Sequence, residues 1–367
     1  MSDTLLVSTR KGLFTVERNA AGWHIAKSEF LGDNVSLAFA DRRDGRRYAA
    51  LDHGHFGVKM HRSTDSGGWE EIATPAYPAK PEGYEEHDMW GRPLPWTTVR
   101  IWALETGGAD EPGTLWCGTI PGGLFRSRDR GTSWEMMRAL WDHPFRRKWM
   151  GGGADLPGLH SIIVDPRNSR RVFIAVSTGG IWLTEDGGET WAQRGEGMRA
   201  DHVPPEHTHA PIAQDVHCLV QCPAAPDRFW VQHHNGIFVS SDEARTFTEL
   251  KSVEPSVFGF PVRVHPKQPD TAWFVPEIKD EKRIPVGGRL CVTRTRDGGR
   301  TFETLSRGLP QEHAYDVVYR HALDLDPGGT RLAMGSTTGG LWVSEDQGDS
   351  WAMVSHTLPP VYAVRFA

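Results

Sequence analysis

Three histidines recur at one step of a repeating β pattern. His160, His217 and His321 each stand five residues before the last position of a short apolar run, at Asp165, Cys222 and Asp326. The chain holds 17 histidines in 367 residues, too few for three to share a register by composition alone. Imidazoles brought together from separate strands suit a divalent metal ion such as Mn, Zn, Fe or Ni. A carboxylate or water would complete the shell, and each ring would need a hydrogen-bond acceptor behind it. The competing reading makes the same rings hydrogen-bonded caps of a channel. His55 in DHGHFG and His234 in QHHNG occupy a second recurrent position. Thr178, Thr338 and Arg10 take the same place in other repeats. The loop before His217, EHTHAPIAQDVH, adds Glu206, His207, His209, Gln214 and Asp215.

Acid–base candidates accompany the histidines. Arg100, Asp155, Glu277, Asp316 and Tyr319 are the expected catalytic residues, with Glu85, Glu86, Asp88, Asp142 and Asp280 as further carboxylates. Paired carboxylates would serve glycoside hydrolysis. Arg100 and Arg320 match a carboxylate or phosphate on the ligand. Trp90, Trp96, Trp102 and Trp149 offer stacking faces. The expected ligand-binding set is therefore Trp96, Trp149, His55, His234 and Arg320, and the expected metal set is His160, His217 and His321. The structural alternative for each is a solvated loop carboxylate or a core tryptophan. The run GGGADLPG at 151–158 lacks GK[ST] and precedes a strand, so it is not a phosphate loop.

The elements that must position these residues are legible in a repeat. STDSGGW (63–69), SRDRGTSW (127–134), TEDGGETW (184–191), SSDEARTF (240–247), TRDGGRTF (295–302) and SEDQGDSW (344–351) are six versions of one turn. Asp bonds its own backbone to start a tight turn, and Gly supplies a positive φ. Their aspartates are spaced 64, 57, 56, 55 and 49 residues apart. A period of roughly 40–50 residues with insertions is that of a β-propeller blade. The clearest repeat places an inner strand from His160, a second from Arg171, a third from Gly180 and a fourth from Trp191. Residues 4–25 supply three strands of a blade that lacks its inner strand, and Pro360–Phe366 supplies one with no blade after it. Joining them predicts an all-β, seven-bladed β-propeller over residues 1–367, closed by both termini with no open edge. The long connections 73–96, 138–159, 194–215 and 276–288 should then crowd one mouth of the channel, opposite the repeated turns, whose aspartates are structural.

The turn pattern resembles the Asp-box, or BNR, repeat of bacterial neuraminidases, and through it the sialidases, other BNR-repeat glycosidases, sortilin-type receptors and photosystem II assembly factors. That resemblance covers nearly the whole chain and implies the propeller fold. Sialidases carry a first arginine in an Arg-Ile-Pro context. Here Arg283-Ile284-Pro285 stands in the sixth blade and Ser-Thr-Arg10-Lys-Gly in the first, so sialidase activity is not expected. The resemblance is closer to bacterial proteins called glycosyl hydrolases from their BNR repeats. The expectation is an enzyme, a glycosidase or lyase, acting on an anionic saccharide or similar small molecule. The alternatives are a non-catalytic propeller that binds a protein or peptide, and an assembly factor of the photosystem type.

Composition sets the remaining bounds. A net charge of −6 and a pI near 6.3 argue against a broad nucleic-acid surface. Gly 40, Pro 25 and Trp 15 suit many tight turns with one aromatic plug per repeat. The opening MSDTLLVSTRKG has no basic segment followed by an apolar one, and no window reaches the ~20 apolar residues of a membrane span. A soluble, cytoplasmic protein is expected. Cys218 and Cys222 lie four apart on one predicted strand, which puts their Cα atoms about 13 Å apart and excludes a disulfide between them.

Overall fold

The computed structural model describes residues 2–88, 91–151 and 155–367. Its strands form seven four-stranded antiparallel sheets, the all-β, seven-bladed β-propeller expected from the repeat. In one sheet the C-terminal strand Val361–Phe366 pairs with Thr4–Thr9, which pairs in turn with Gly12–Asn19 and Gly22–Glu29. The two ends of the chain thus share one ladder, running from Leu5 opposite Phe366 to Thr9 opposite Val361. Trp23 closes this blade edge-on against Phe366 at 6.2 Å.

Contacts divide the chain into two compact units. The first comprises Met1–Arg42, His217–Glu243 and Thr248–Ala367. Besides the terminal sheet it holds the sheet Gly259–Val264, Ala272–Pro276, Val292–Thr295 and Glu303–Leu305. It also holds the sheet Leu323–Leu325, Leu332–Gly335, Leu341–Ser344 and Ala352–Ser355. Its core is built around fully buried Trp230, Trp273 and Trp342, with Trp351 at the end of the last repeated turn. The second unit comprises Arg43–Val216 and Ala244–Phe247. It contains the sheet Arg100–Thr106, Leu115–Ile120, Leu124–Ser127 and Glu135–Met136, and the sheet Gly158–Val164, Val172–Ser177, Gly180–Thr184 and Ala192–Arg194. Strand Val172–Ser177 is buried at every residue, which is why it reads as a continuous apolar run rather than an alternating one.

The repeated turns show why their residues recur. Asp186 accepts from the Thr184 hydroxyl at 2.8 Å, from the Thr190 amide at 2.9 Å and from the Thr190 hydroxyl at 2.6 Å. Asp129, Asp297 and Asp346 make the same set with Ser133, Thr301 and Ser350. Burial works against charge on Asp186, but the Thr190 and Thr184 bonds outweigh it and hold the carboxyl at about 2. Each aspartate is consumed in fastening its own turn.

Two local departures from the sequence reading matter for the site. His321 was expected inside an inner strand, but that strand begins only at Leu323, because the chain turns at Tyr319–Ala322 with the Ala322 amide on the Tyr319 carbonyl. Three other inner strands carry a β-bulge at the equivalent step, between Ile101 and Ala103, between Leu159 and Ser161, and between Gly259 and Val262. The bulged residues are Trp102, His160 and the pair Phe260–Pro261. A bulge re-aims its side chain relative to the simple alternation of the strand.

Candidate functional site

Seven of the thirteen expected site residues lie in the first unit: His217, His234, Glu277, Asp316, Tyr319, Arg320 and His321. Phe260 is the centre of three of them, His217, Tyr319 and Arg320. The His217 ring stacks on it, with centroids 4.8 Å apart and planes 19° apart. Tyr319 meets it edge-on at 5.5 Å, and Phe258 does so at 5.6 Å. The guanidinium groups of Arg283 and Arg320 lie 5.4 and 5.7 Å from its centroid, within cation–π range. Phe258, Phe260 and Val317 are buried together with Tyr319 packed on them. The result is an aromatic cluster flanked by two positive charges.

Each polar member is anchored. The His217 Nδ1 donates to the Gly259 carbonyl at 2.7 Å, and the Arg320 Nε donates to the His217 carbonyl at 2.7 Å. Burial first, and then the Arg320 charge, push the His217 pKa well below the usual histidine value, so the ring is neutral. The His234 ring stands edge-on to His217 at 5.5 Å and to Phe258 at 5.9 Å. Asp316 accepts from the Ser336 hydroxyl at 2.7 Å and from the Thr338 hydroxyl, which fixes its carboxylate at the start of the last blade.

Glu277 is the chemically unusual residue. It ends the strand Ala272–Pro276, with its amide on the Phe258 carbonyl at 2.8 Å. Only 1 % of it is exposed, and no side chain among the described residues hydrogen-bonds its carboxyl. Burial raises its pKa to about 8, and nearby Arg283 pulls the other way only in part. A carboxyl kept protonated at neutral pH is a proton donor, the state that a general acid requires. Arg283 itself is held by the Asp280 carboxylate and carbonyl in the 276–288 connection.

The other six expected residues lie in the second unit. His160 sets its Nε2 against the Val216 carbonyl at 2.7 Å and its Nδ1 against the Ser161 hydroxyl at 2.9 Å. Both ring nitrogens are therefore engaged in protein contacts. Trp149 is buried in the core 5.8 Å from Trp182, and is a packing residue rather than a stacking face. Trp96 donates to the Pro78 carbonyl at 2.6 Å and packs on Tyr84 and Trp141. Arg100 pairs with Asp52 at 3.3 Å. Asp155 is exposed, 3.8 Å from Arg92. His55 is exposed and lies against Phe56. Trp90 lies outside the described residues, as does part of the 151–158 run.

Sequence reasoning passed over three participants. Phe260 was not among the candidate residues, and Arg283 drew notice only for its Arg-Ile-Pro context. Phe258 carried no signal at all. A buried ion pair in the second unit was also unseen: Arg146 grips Glu86 at 2.7 and 2.6 Å and the Tyr84 hydroxyl at 2.9 Å, over the face of Trp141.

No protein-family model matches the chain. Among curated proteins it is similar to a probable oligoxyloglucan-reducing end-specific xyloglucanase of Neosartorya fischeri, with 23% identity over 269 residues. That match covers 66% of this chain and 30% of the relative. It is also 24% identical to the oligoxyloglucan-reducing end-specific xyloglucanase of Emericella nidulans, over 67% of this chain and 26% of the relative. The chain thus spans less than a third of the length of these relatives. Among solved structures, a protein from Lactobacillus plantarum superposes with a TM-score of 0.59 at 11% identity, covering 100% of both chains. An ancestral GH74 enzyme gives 0.57 at 14% identity, covering 87% of this chain and 38% of that one. YCF48 bound to D1 peptide gives 0.55 at 13%, covering 90% and 84%. At these identities the structural likeness is one of fold.

Proposed function

We propose that the protein is a glycosidase-like enzyme that cleaves an anionic saccharide at the Glu277 site. The observation that carries this reading is a buried carboxyl, raised to about 8 by burial, next to Arg283, whose guanidinium lies over Phe260. Glu277 gives its proton to the glycosidic oxygen as the bond to the anomeric carbon breaks. Asp316 is the paired carboxylate, which either takes a proton from the attacking water or attacks the anomeric carbon itself. Arg320 and Arg283 receive the negative group of the sugar, and Phe260 with Tyr319 faces its apolar side. The xyloglucanase relatives lend support at the level of a saccharide-acting enzyme. The repeated aspartate turns, assigned to the Asp-box class, carry the scaffold and take no part in the reaction. Four buried, unpaired cysteines suit the reducing cytoplasm we assign to the protein.

The test is reducing-end release from two panels, neutral xyloglucan oligosaccharides and uronate-bearing oligosaccharides. Cleavage of the acidic panel, lost about a hundredfold in Glu277→Gln with a native circular dichroism spectrum, is the expected result. Cleavage of the neutral panel alone would overturn the anionic assignment. Inactivity on both, with capture of a peptide ligand at the same residues, would make the propeller a binding module instead.

A further inference from the structure

We propose that Arg283 is a specificity-determining residue, which reads the charge of the bound sugar and passes it to Glu277. An anionic group docked on Arg283 makes Glu277 hold its proton more firmly, and a neutral sugar does not. The inference rests on the Glu277 reading and adds a reason for that site to prefer an acidic substrate.

The hairpin after Glu277 brings the two residues together. Glu277 follows directly on its strand, and the chain then doubles back, with the Ile278 amide on the Ile284 carbonyl at 3.0 Å and the Lys282 amide on the Lys279 carbonyl at 3.0 Å. Arg283 therefore returns beside the residue at which the excursion began. Its guanidinium lies 5.4 Å from the Phe260 centroid, over the segment whose Phe258 carbonyl holds the Glu277 amide. Every one of these residues belongs to the first compact unit.

The two side chains differ in access. Glu277 is 1 % exposed, whereas 39% of the Arg283 side chain is open to solvent. Asp280 takes the Arg283 Nε at 3.0 Å and one terminal nitrogen. The other terminal nitrogen has no partner among the described residues. An incoming carboxylate thus meets the arginine first, and finds a donor there that the protein has not used.

Electrostatics sets the direction of the coupling. Burial keeps Glu277 protonated, and the positive charge of Arg283 works against it. A bound anion cancels that opposing charge, so the proton is held more tightly for as long as the anion stays. The remaining groups on the packed segments do not change with the ligand. Asp280 opposes Arg283 from the same hairpin, and the Val318 amide is a fixed dipole. Lys279 pairs with Glu281. Arg320 donates to the His217 carbonyl, Asp316 accepts from Ser336 and Thr338, and His234 stands edge-on to Phe258.

The experiment is a pH titration of the full-length protein carrying carbon-13 in its glutamate carboxyl groups. The Glu277 resonance is assigned by its loss in Glu277→Gln. Midpoints are measured for the protein alone, with excess glucuronate and with excess glucose. Glucuronate should raise the midpoint by about half a pH unit or more, and glucose should leave it unmoved. Arg283→Gln should start from a higher midpoint and ignore glucuronate. Asp280→Asn, which unmasks the guanidinium, should start lower and respond more. Equal midpoints in the two sugars would overturn the proposal, as would a full glucuronate response in Arg283→Gln. Cleavage of the acidic panel with an unmoved midpoint would keep the enzyme and sink the coupling. A native midpoint near 4.5 would remove the acid itself, overturning the Glu277 reading and the inference with it.

Discussion

His217 lies nearly parallel to Phe260, 4.8 Å from ring centre to ring centre, while its Nδ1 is fastened to the carbonyl of Gly259, the residue just before Phe260. One two-residue step of the chain therefore holds the histidine by both its face and its edge. Phe260 is 4 % exposed and also meets Tyr319, Phe258 and two guanidinium groups. Phe260→Ala should cost about 3–4 kcal/mol in denaturant unfolding, and Phe260→Leu under about 1.5 kcal/mol. If the cluster also forms the ligand face, Phe260→Leu should raise KM while leaving kcat nearly intact. An unfolding cost below about 1 kcal/mol for the alanine variant would contradict the central packing role assigned to it.

Glu277 makes a prediction of opposite sign to that of an ordinary acidic residue. Its folded pKa, about 8, lies above the unfolded value near 4.5. Between these values the folded state binds the extra proton, so this residue's contribution is fullest below pH 4.5 and is lost as pH rises through 8. The loss is on the order of 5 kcal/mol across that window. Glu277→Gln should flatten the fall in thermal stability between pH 5 and 8. Hydrolysis by the native protein should decline with an apparent pKa near 8 as the acid ionises. An unchanged stability slope in the glutamine variant would mean that the carboxyl is already charged.

Much of the scaffold was legible because its determinants are local. The strand Gly180–Thr184 falls where the sequence put it, since Gly180 has φ 73° at one end and Asp186 ties the turn at the other. The terminal sheet was equally readable, because Thr4–Thr9 lacks an inner neighbour in its own repeat and Val361–Phe366 lacks a repeat to follow. The site was only half legible. Counting five residues back treated His160, His217 and His321 as equivalent; the first two rings do behave alike, facing the carbonyls of Val216 and Gly259, while a backbone turn removes the third from its strand. Bulges add a residue without leaving a composition signal, so the sequence could align these positions but not say which carbonyl each ring would meet. Glu277 was identifiable as a carboxylate but not as a protonated one, because its burial arises only where the chain folds it against the segment of Phe258.

The turn aspartates behave conventionally. Asp186 is held at about 2, below its unfolded value near 4. Its contribution is present above pH 4 and lost as pH falls through 2. Because the turn is largely open to solvent, Asp186→Ala should cost only about 1–2 kcal/mol at neutral pH. Melting curves of the variant and the native protein should converge near pH 2. Persistence of the difference at that pH would assign the effect to turn geometry rather than to the charged carboxylate.

Gly259 tests whether the histidine is positioned from behind. A Cβ there would stand 2.4 Å from the Val275 carbonyl oxygen, closer than backbone tolerates, so Gly259→Ala must shift the bulged strand. Overpacking of this kind costs about 1–3 kcal/mol. The shift also draws the Gly259 carbonyl away from the His217 Nδ1, which releases the tautomer. Nitrogen-15 chemical shifts of the imidazole should therefore move from a pure Nδ1–H pattern toward a mixture, while the His265 ring, whose Nδ1 accepts from the Lys267 amide, keeps its pattern. A destabilised Gly259→Ala with an unaltered His217 pattern would show that the stacking on Phe260, not the carbonyl, sets the ring.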